Sequence, residues 1–227
     1  MRKLIVLFLV IFLTFIIYKL NENNLIDYMS IGDSLDLGIN SYGNNTYSYH
    51  DYLKNYLDNN NLLHKTSFFY SKSNYKIKDL LNDIKDNKEI IYDDKNYNIK
   101  KELREADLIT ICIGMDELIN KIENNITSSD IDTLINDMDL LISNIKKFSS
   151  SNIVLIGYYN PYLDNIKVNK IFSYVNNKYK ELATKYKIIY IDILNFNKEY
   201  LPNYKDYHLN SKGYLKIASK IIEKLDY

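Results

Sequence analysis

Ser34 and His208 are the residues of this chain whose types and setting suit covalent chemistry. Ser34 stands in Ile31-Gly32-Asp33-Ser34-Leu35, directly after the apolar run Leu25-Ile26-Asp27-Tyr28-Met29, which reads as a strand. His208 stands in Asp206-Tyr207-His208-Leu209-Asn210, near the other end and just ahead of a helical stretch. A serine hydroxyl is a weak nucleophile until a neighbouring base takes its proton, so this serine and this histidine together point to nucleophilic catalysis. Gly32 permits a tight turn out of the strand, and the Ser34 N–H could help to bind an oxyanion. Asp33 reads as an orienting residue of the turn rather than a proton carrier. The other two histidines, His50 and His64, fall on a predicted helix and at a predicted strand start, where surface or core positions explain them.

The elements that must position these groups follow from the hydrophobic pattern. Strand-like runs occur at Leu25–Ile31, His64–Tyr70, Ala106–Ile113, Asn152–Tyr158 and Ile188–Ile191. Helical patterns lie near Tyr47–Leu57, Ile77–Ile84, Ile99–Glu105, Asp116–Glu123, Ser129–Phe148 and Val168–Tyr186, with a last helix from Ser211 to Leu225. Strands alternating with helices imply crossover connections and a parallel sheet covered on both faces. Five such strands suit an α/β, three-layer, flavodoxin-like sheet, in which sites form at the C-terminal strand ends. The serine and Gly114-Met115-Asp116 both fall just after predicted strands, and the histidine follows the last one. All three can meet on one edge.

The order and wording of these blocks resemble the SGNH (GDSL) hydrolase family. Asp206 to Tyr214 is similar to the family's last block, in which an acid and a histidine precede a Leu-Asn or Pro-Asn and a Gly-Tyr. By that resemblance His208 is the general base and Asp206 orients its ring. The commonest form has the acid three residues before the histidine, where this chain has Lys205; Asp206 is only two before. The family takes its oxyanion donors from the serine N–H, a glycine N–H in a second block and an asparagine amide in a third. Asn74, in Ser71-Lys72-Ser73-Asn74-Tyr75, falls where the glycine is expected, and asparagine tolerates left-handed backbone better than most residues. Gly114-Met115-Asp116-Glu117-Leu118 resembles the third block, with Asp116 in place of the asparagine. An ionised carboxylate only accepts hydrogen bonds and would repel a developing oxyanion. A protonated Asp116 could still donate; otherwise it faces away, or the site is impaired. The resemblance implies ester hydrolysis through an acyl-serine, with no cofactor and no metal, on a small-molecule or glycan ester.

Composition narrows the remaining classes. Lys plus Arg and Asp plus Glu balance at 29 each, so no global charge argues for nucleic acid. No His-x-x-x-His or Cys-x-x-Cys pattern suggests a metal, and no Gly-x-Gly-x-x-Gly suggests a nucleotide. The single Cys112 lies in the apolar run Leu108–Ile113 and reads as a buried strand thiol. Tyr42, Tyr47, Tyr49 and Tyr52 could line a carbohydrate cleft, but among 23 tyrosines chance is the better account. Arg2-Lys3 precede the uncharged stretch Leu4 to Tyr18, a basic and then apolar pattern. No small-residue cleavage site follows it, which favours an uncleaved anchor over residues 1–20, a linker at 21–24 and a domain over 25–227. The positive-inside rule then places the domain outside a cell membrane, with secretion as the alternative.

Overall fold

The computed structural model describes residues 9–14, 25–203 and 206–225. Residues 9–14 are helical and exposed, and the rest of the Leu4–Tyr18 segment lies outside the described residues. Among the described residues, no helix is long and apolar enough to cross a membrane.

Five parallel strands form one sheet: β1 (Ile26–Gly32), β2 (Leu63–Ser71), β5 (Leu108–Cys112), β6 (Asn152–Ile156) and β7 (Ile189–Ile191). Their order is β2-β1-β5-β6-β7, so the chain winds outward in both directions from the seam between β1 and β5. This is the expected flavodoxin-like sheet, and its topological switch point is the β1–β5 seam. Every residue of β5 is buried, because it lies inside the sheet with helices on both faces.

Helices α1 (Tyr49–Asn59), α2 (Ile77–Lys85), α3 (Ile99–Glu105), α4 (Met115–Glu123), α5 (Ser128–Phe148), α6 (Ile166–Tyr186) and α7 (Ser211–Ile222) supply the outer layers. Their starts follow from capping chemistry. Ser48, Asn98, Thr127, Asn165 and Asn210 each accept a first-turn N–H through the side chain. Two helices lack such a bond: α2, whose N-cap is Lys76, and α4, whose N-cap Gly114 has no side chain to offer. Gly114 has φ 96°, and a Cβ there would collide with the Tyr158 hydroxyl and the Ile77 side chain.

One element departs from expectation. Between α2 and α3 an antiparallel hairpin forms from β3 (Glu89–Tyr92) and β4 (Lys95–Asn98). Its turn residues Asp93 and Asp94 both have positive φ, 49° and 56°. Its Tyr92 and Tyr97 rings pack on Phe69 of β2, with centroids 4.5 and 4.4 Å away.

A buried polar cluster lies under the loop that follows β1. The Ser30, Tyr49 and Ser71 hydroxyls all donate to Asp36, which is fully buried. His50 Nδ1 stands 3.5 Å from Asp36 Oδ2. Burial alone would raise the Asp36 carboxyl, but the His50 charge and the donated hydrogen bonds outweigh it and hold the group below the ordinary carboxylate range. Removing this acceptor orphans buried hydroxyls. Asp36→Ala is therefore expected to cost about 3 kcal/mol, a melting-temperature drop of roughly 6–12 °C for a domain of this size. The charge-dependent part is present above the unfolded carboxylate range and is lost as pH falls through the lower folded value. Urea denaturation should show the gap between wild type and Asp36→Asn at its widest well above pH ~4, and shrinking below that value.

Candidate active site

The seam between β1 and β5 carries both of its loops to one edge. β1 ends at Gly32, two residues before Ser34, and β5 ends at Cys112, two before Gly114. Asp33 fastens the two loops together. Its Oδ2 accepts the N–H groups of Gly114 at 2.8 Å and Met115 at 3.0 Å, and its Oδ1 accepts the Leu35 N–H at 3.2 Å. Asp33 thus caps α4 from another part of the chain, supplying what Gly114 lacks. Burial pushes the Asp33 carboxyl upward, while these N–H groups oppose the shift.

His208 arrives from the far end of the chain. Leu209 beside it is fully buried, and Asn210 caps α7 by accepting the Gly213 N–H at 3.0 Å. The Tyr214 hydroxyl, on the first turn of α7, donates to Ile39 O at 2.5 Å and ties that helix to the serine loop. The Tyr159 hydroxyl donates to Tyr207 O at 2.5 Å and fixes the approach. His208 Nε2 then lies 3.0 Å from Ser34 Oγ, across 174 positions of sequence.

Asp206 reaches His208 despite the short spacing. Its Oδ1 lies 2.7 Å from His208 Nδ1 and also accepts the His208 backbone N–H at 2.7 Å. The backbone turns tightly enough for one carboxylate oxygen to serve ring and main chain together. Lys205 lies outside the described residues.

Asp116 and Asn74 complete the constellation. Asp116 is buried and faces the serine, with Oδ1 2.5 Å from Ser34 Oγ. Asn74 has φ 56°, the left-handed conformation that the family's glycine would take without strain. Its N–H donates to Asp116 Oδ2 at 3.0 Å. Ser34, Asn74, Asp116, Asp206 and His208 are therefore all brought together.

One further contact was not singled out from the sequence. The Tyr207 ring stacks on His208 with centroids 4.3 Å apart, and its hydroxyl donates to Asp116 Oδ1 at 3.0 Å. Burial pushes that phenol upward. Its position directly before the histidine was the available signal, masked by the abundance of tyrosine. Of the four tyrosines considered for a carbohydrate cleft, Tyr49 belongs to the buried Asp36 cluster, whereas Tyr42 and Tyr47 are exposed.

A cavity of about 200 Å³ opens beside the site, lined by Asn74, Lys76, Asp116, Glu117, Asn120 and Lys121. A second, of about 970 Å³, lies between the loops after β6 and β7, among Tyr162, Leu163, Ile166, Leu201 and Pro202. It reaches neither Ser34 nor His208, although Asn203 on its rim donates to Ser41 O of the serine loop at 2.9 Å.

The family described as GDSL-like Lipase/Acylhydrolase matches residues 28–221. The chain belongs to that family. The GDSL fold is seen again in solved structures. The lipase Lip_vut3 from a goat rumen metagenome is 20% identical with a TM-score of 0.71, over 87% of this chain and 96% of that one. Axe2, an acetylxylan esterase from Geobacillus stearothermophilus, is 14% identical with a TM-score of 0.68, over 89% and 94%. No curated protein matches the chain.

The Asp206–His208 contact makes a direct prediction. Asp206→Asn, which keeps the shape but not the charge, is expected to lower kcat for a simple ester by roughly 10³–10⁴-fold. Unchanged thermal unfolding of the variant would show that the loss is chemical.

Proposed function

We propose that this chain is a serine esterase in which Ser34 is the nucleophile, His208 the general base and Asp206 the residue that orients it. The observation that carries this reading is the continuous line from Asp206 Oδ1 through His208 Nδ1 and Nε2 to Ser34 Oγ, at 2.7 and 3.0 Å. Family membership supports ester hydrolysis in general terms.

In this reading Ser34 Oγ attacks the ester carbonyl carbon and its proton passes to His208 Nε2. The carbonyl π electrons move onto the oxygen, which the N–H groups of Ser34 and Asn74 receive. Collapse expels the alcohol with the proton from His208 and leaves an acyl-serine. Water repeats the sequence and releases the acid. Asp206 holds the Nδ1–H tautomer and stabilises the imidazolium.

The substrate we favour is an O-acetyl group on a glycan of the cell envelope. The small cavity beside Asp116 and Asn74 suits a short acyl group, and the larger one could receive part of the carrier. Axe2 is named as an acetylxylan esterase; its catalytic mutants replace a serine, an aspartate and a histidine, the last two three positions apart. The basic and apolar start of the sequence supports membrane attachment with the domain outside. The second reading is a non-catalytic envelope protein that binds a glycan or a partner. Asp116 favours it, because its carboxylate engages the Asn74 N–H that an oxyanion would need.

Fluorophosphonate labelling followed by intact mass separates the two. A single adduct on the full chain, absent from Ser34→Ala, is expected of the esterase. A folded wild type that stays unlabelled would favour the binding protein. Among p-nitrophenyl esters, kcat/KM should be highest for acetate and fall as the acyl chain lengthens.

A further inference from the structure

Ser34 Oγ carries one proton and faces two heteroatoms, His208 Nε2 at 3.0 Å and Asp116 Oδ1 at 2.5 Å. Asp206 takes the Nδ1–H of His208, so in a neutral ring Nε2 is a lone pair. An ionised Asp116 also only accepts. Two acceptors then compete for one proton, and one of these close contacts would set lone pair against lone pair. A second proton resolves it, placed either on His208 or on Asp116.

The surroundings of Asp116 decide between them. Asp33 is the charged group behind it. Both Asp33 oxygens accept backbone N–H groups, at 2.8, 3.0 and 3.2 Å, and among the described residues they face no acceptor that could take a proton from them, whereas Asp116 Oδ1 lies 2.5 Å from Ser34 Oγ, so Asp33 is the ionised member of the two buried carboxyls. A second bare charge beside it is unfavourable, because adjacent buried carboxylates do not both ionise readily. The N-terminus of α4 already has its anion in Asp33. From β2's following loop, Asn74 presents only an N–H to Asp116 Oδ2, and from the last loop Tyr207 presents an O–H to Oδ1. Both contacts suit a carboxylic acid as well as a carboxylate. His208 faces Ser34 rather than Asp116. At the cavity rim Lys76 and Lys121 flank Glu117, and Lys121 is committed to Asp130 at 2.9 Å. Among the described residues, no lysine or arginine pairs with Asp116.

We infer that Asp116 is present as the carboxylic acid, with its proton on Oδ1 toward Ser34, and that this O–H is the third oxyanion donor. The donor role rests on the esterase reading; the location of the proton does not. Ser34 then accepts from Asp116 and donates to His208, and every contact has one proton. On attack, Ser34 Oγ gives its proton to His208 and the Asp116 O–H turns from Oγ to the new oxyanion. Asp116 keeps its proton throughout. A neutral acid thereby does the work of the family's asparagine amide.

Infrared spectroscopy of the full chain at neutral pH reads the proton directly. The carbonyl band of a protonated carboxylic acid is expected in wild type and should vanish in Asp116→Asn. Its absence from wild type overturns the inference. So does a band that survives Asp116→Asn and disappears in Asp33→Asn, which would place the proton on Asp33. Turnover gives the second measurement. Asp116→Ala, which removes the donor, should lose roughly 10²–10³-fold in kcat with KM little changed, and Asp116→Asn, which restores an N–H donor, should recover most of that loss. A rise in kcat for Asp116→Asn would instead mark an ionised Asp116 facing an imidazolium. A wild type that shows the band but neither labels with fluorophosphonate nor hydrolyses esters sinks the esterase reading and the donor role, and leaves the proton where it is placed.

Discussion

Asp33 accepts the N–H groups of Gly114 and Met115 across the β1–β5 seam, and the relative position of Ser34 and Asp116 follows from that contact. Two strands that lie side by side bring their loops near one another but do not fix them. A helix whose N-cap is glycine has free first-turn donors, and a buried carboxylate from the neighbouring loop satisfies them. The requirement acts both ways. Gly114 must be glycine for its backbone angle and its space, and that vacancy is filled by an acid from the serine block. Asp33 thereby couples the loop carrying Ser34 to the loop carrying Asp116 without itself reaching the reacting atoms.

The serine loop is held from below as well. Asp36 gathers hydroxyls from β1, α1 and the end of β2, so three elements converge on one buried charge. From above, Tyr214 of α7 bonds to Ile39. The loop is thus clamped between a polar cluster and the last helix. Such support suits a hydroxyl that must hold its place between His208 and Asp116.

The sheet was legible because each strand is a continuous apolar run bounded by polar turns, with β5 the plainest case. The helices were legible from the periodicity of their apolar residues. The β3–β4 hairpin was not. Its strands are four residues each, mixed in polarity, and its turn is Asp93-Asp94 without the glycine that ordinarily marks such a turn. Ser34, Asp206, His208, Asn74 and Asp116 were picked out by their blocks, and the structure brings them together. What the blocks could not show is direction: whether Asp116 faces the serine or turns away depends on Asn74 and Tyr207, which approach from separate loops. The two-residue spacing of Asp206 and His208 raised the same difficulty, since only the backbone turn reveals that one oxygen can serve both ring and main chain.

Ser34 and His208 are separated by 174 residues, and the contact between them closes across nearly the whole domain. Loop closure over such a distance costs entropy before any contact repays it, so parallel sheets with remote pairings assemble slowly. β1, β2 and β5 can form the seam, seat Ser34 and cap α4 while the last segment is still unplaced. Until α7 docks and Tyr214 meets Ile39, the serine has no imidazole beside it. In the esterase reading, the return of a labelable Ser34 during refolding is therefore a clock for the docking of α7.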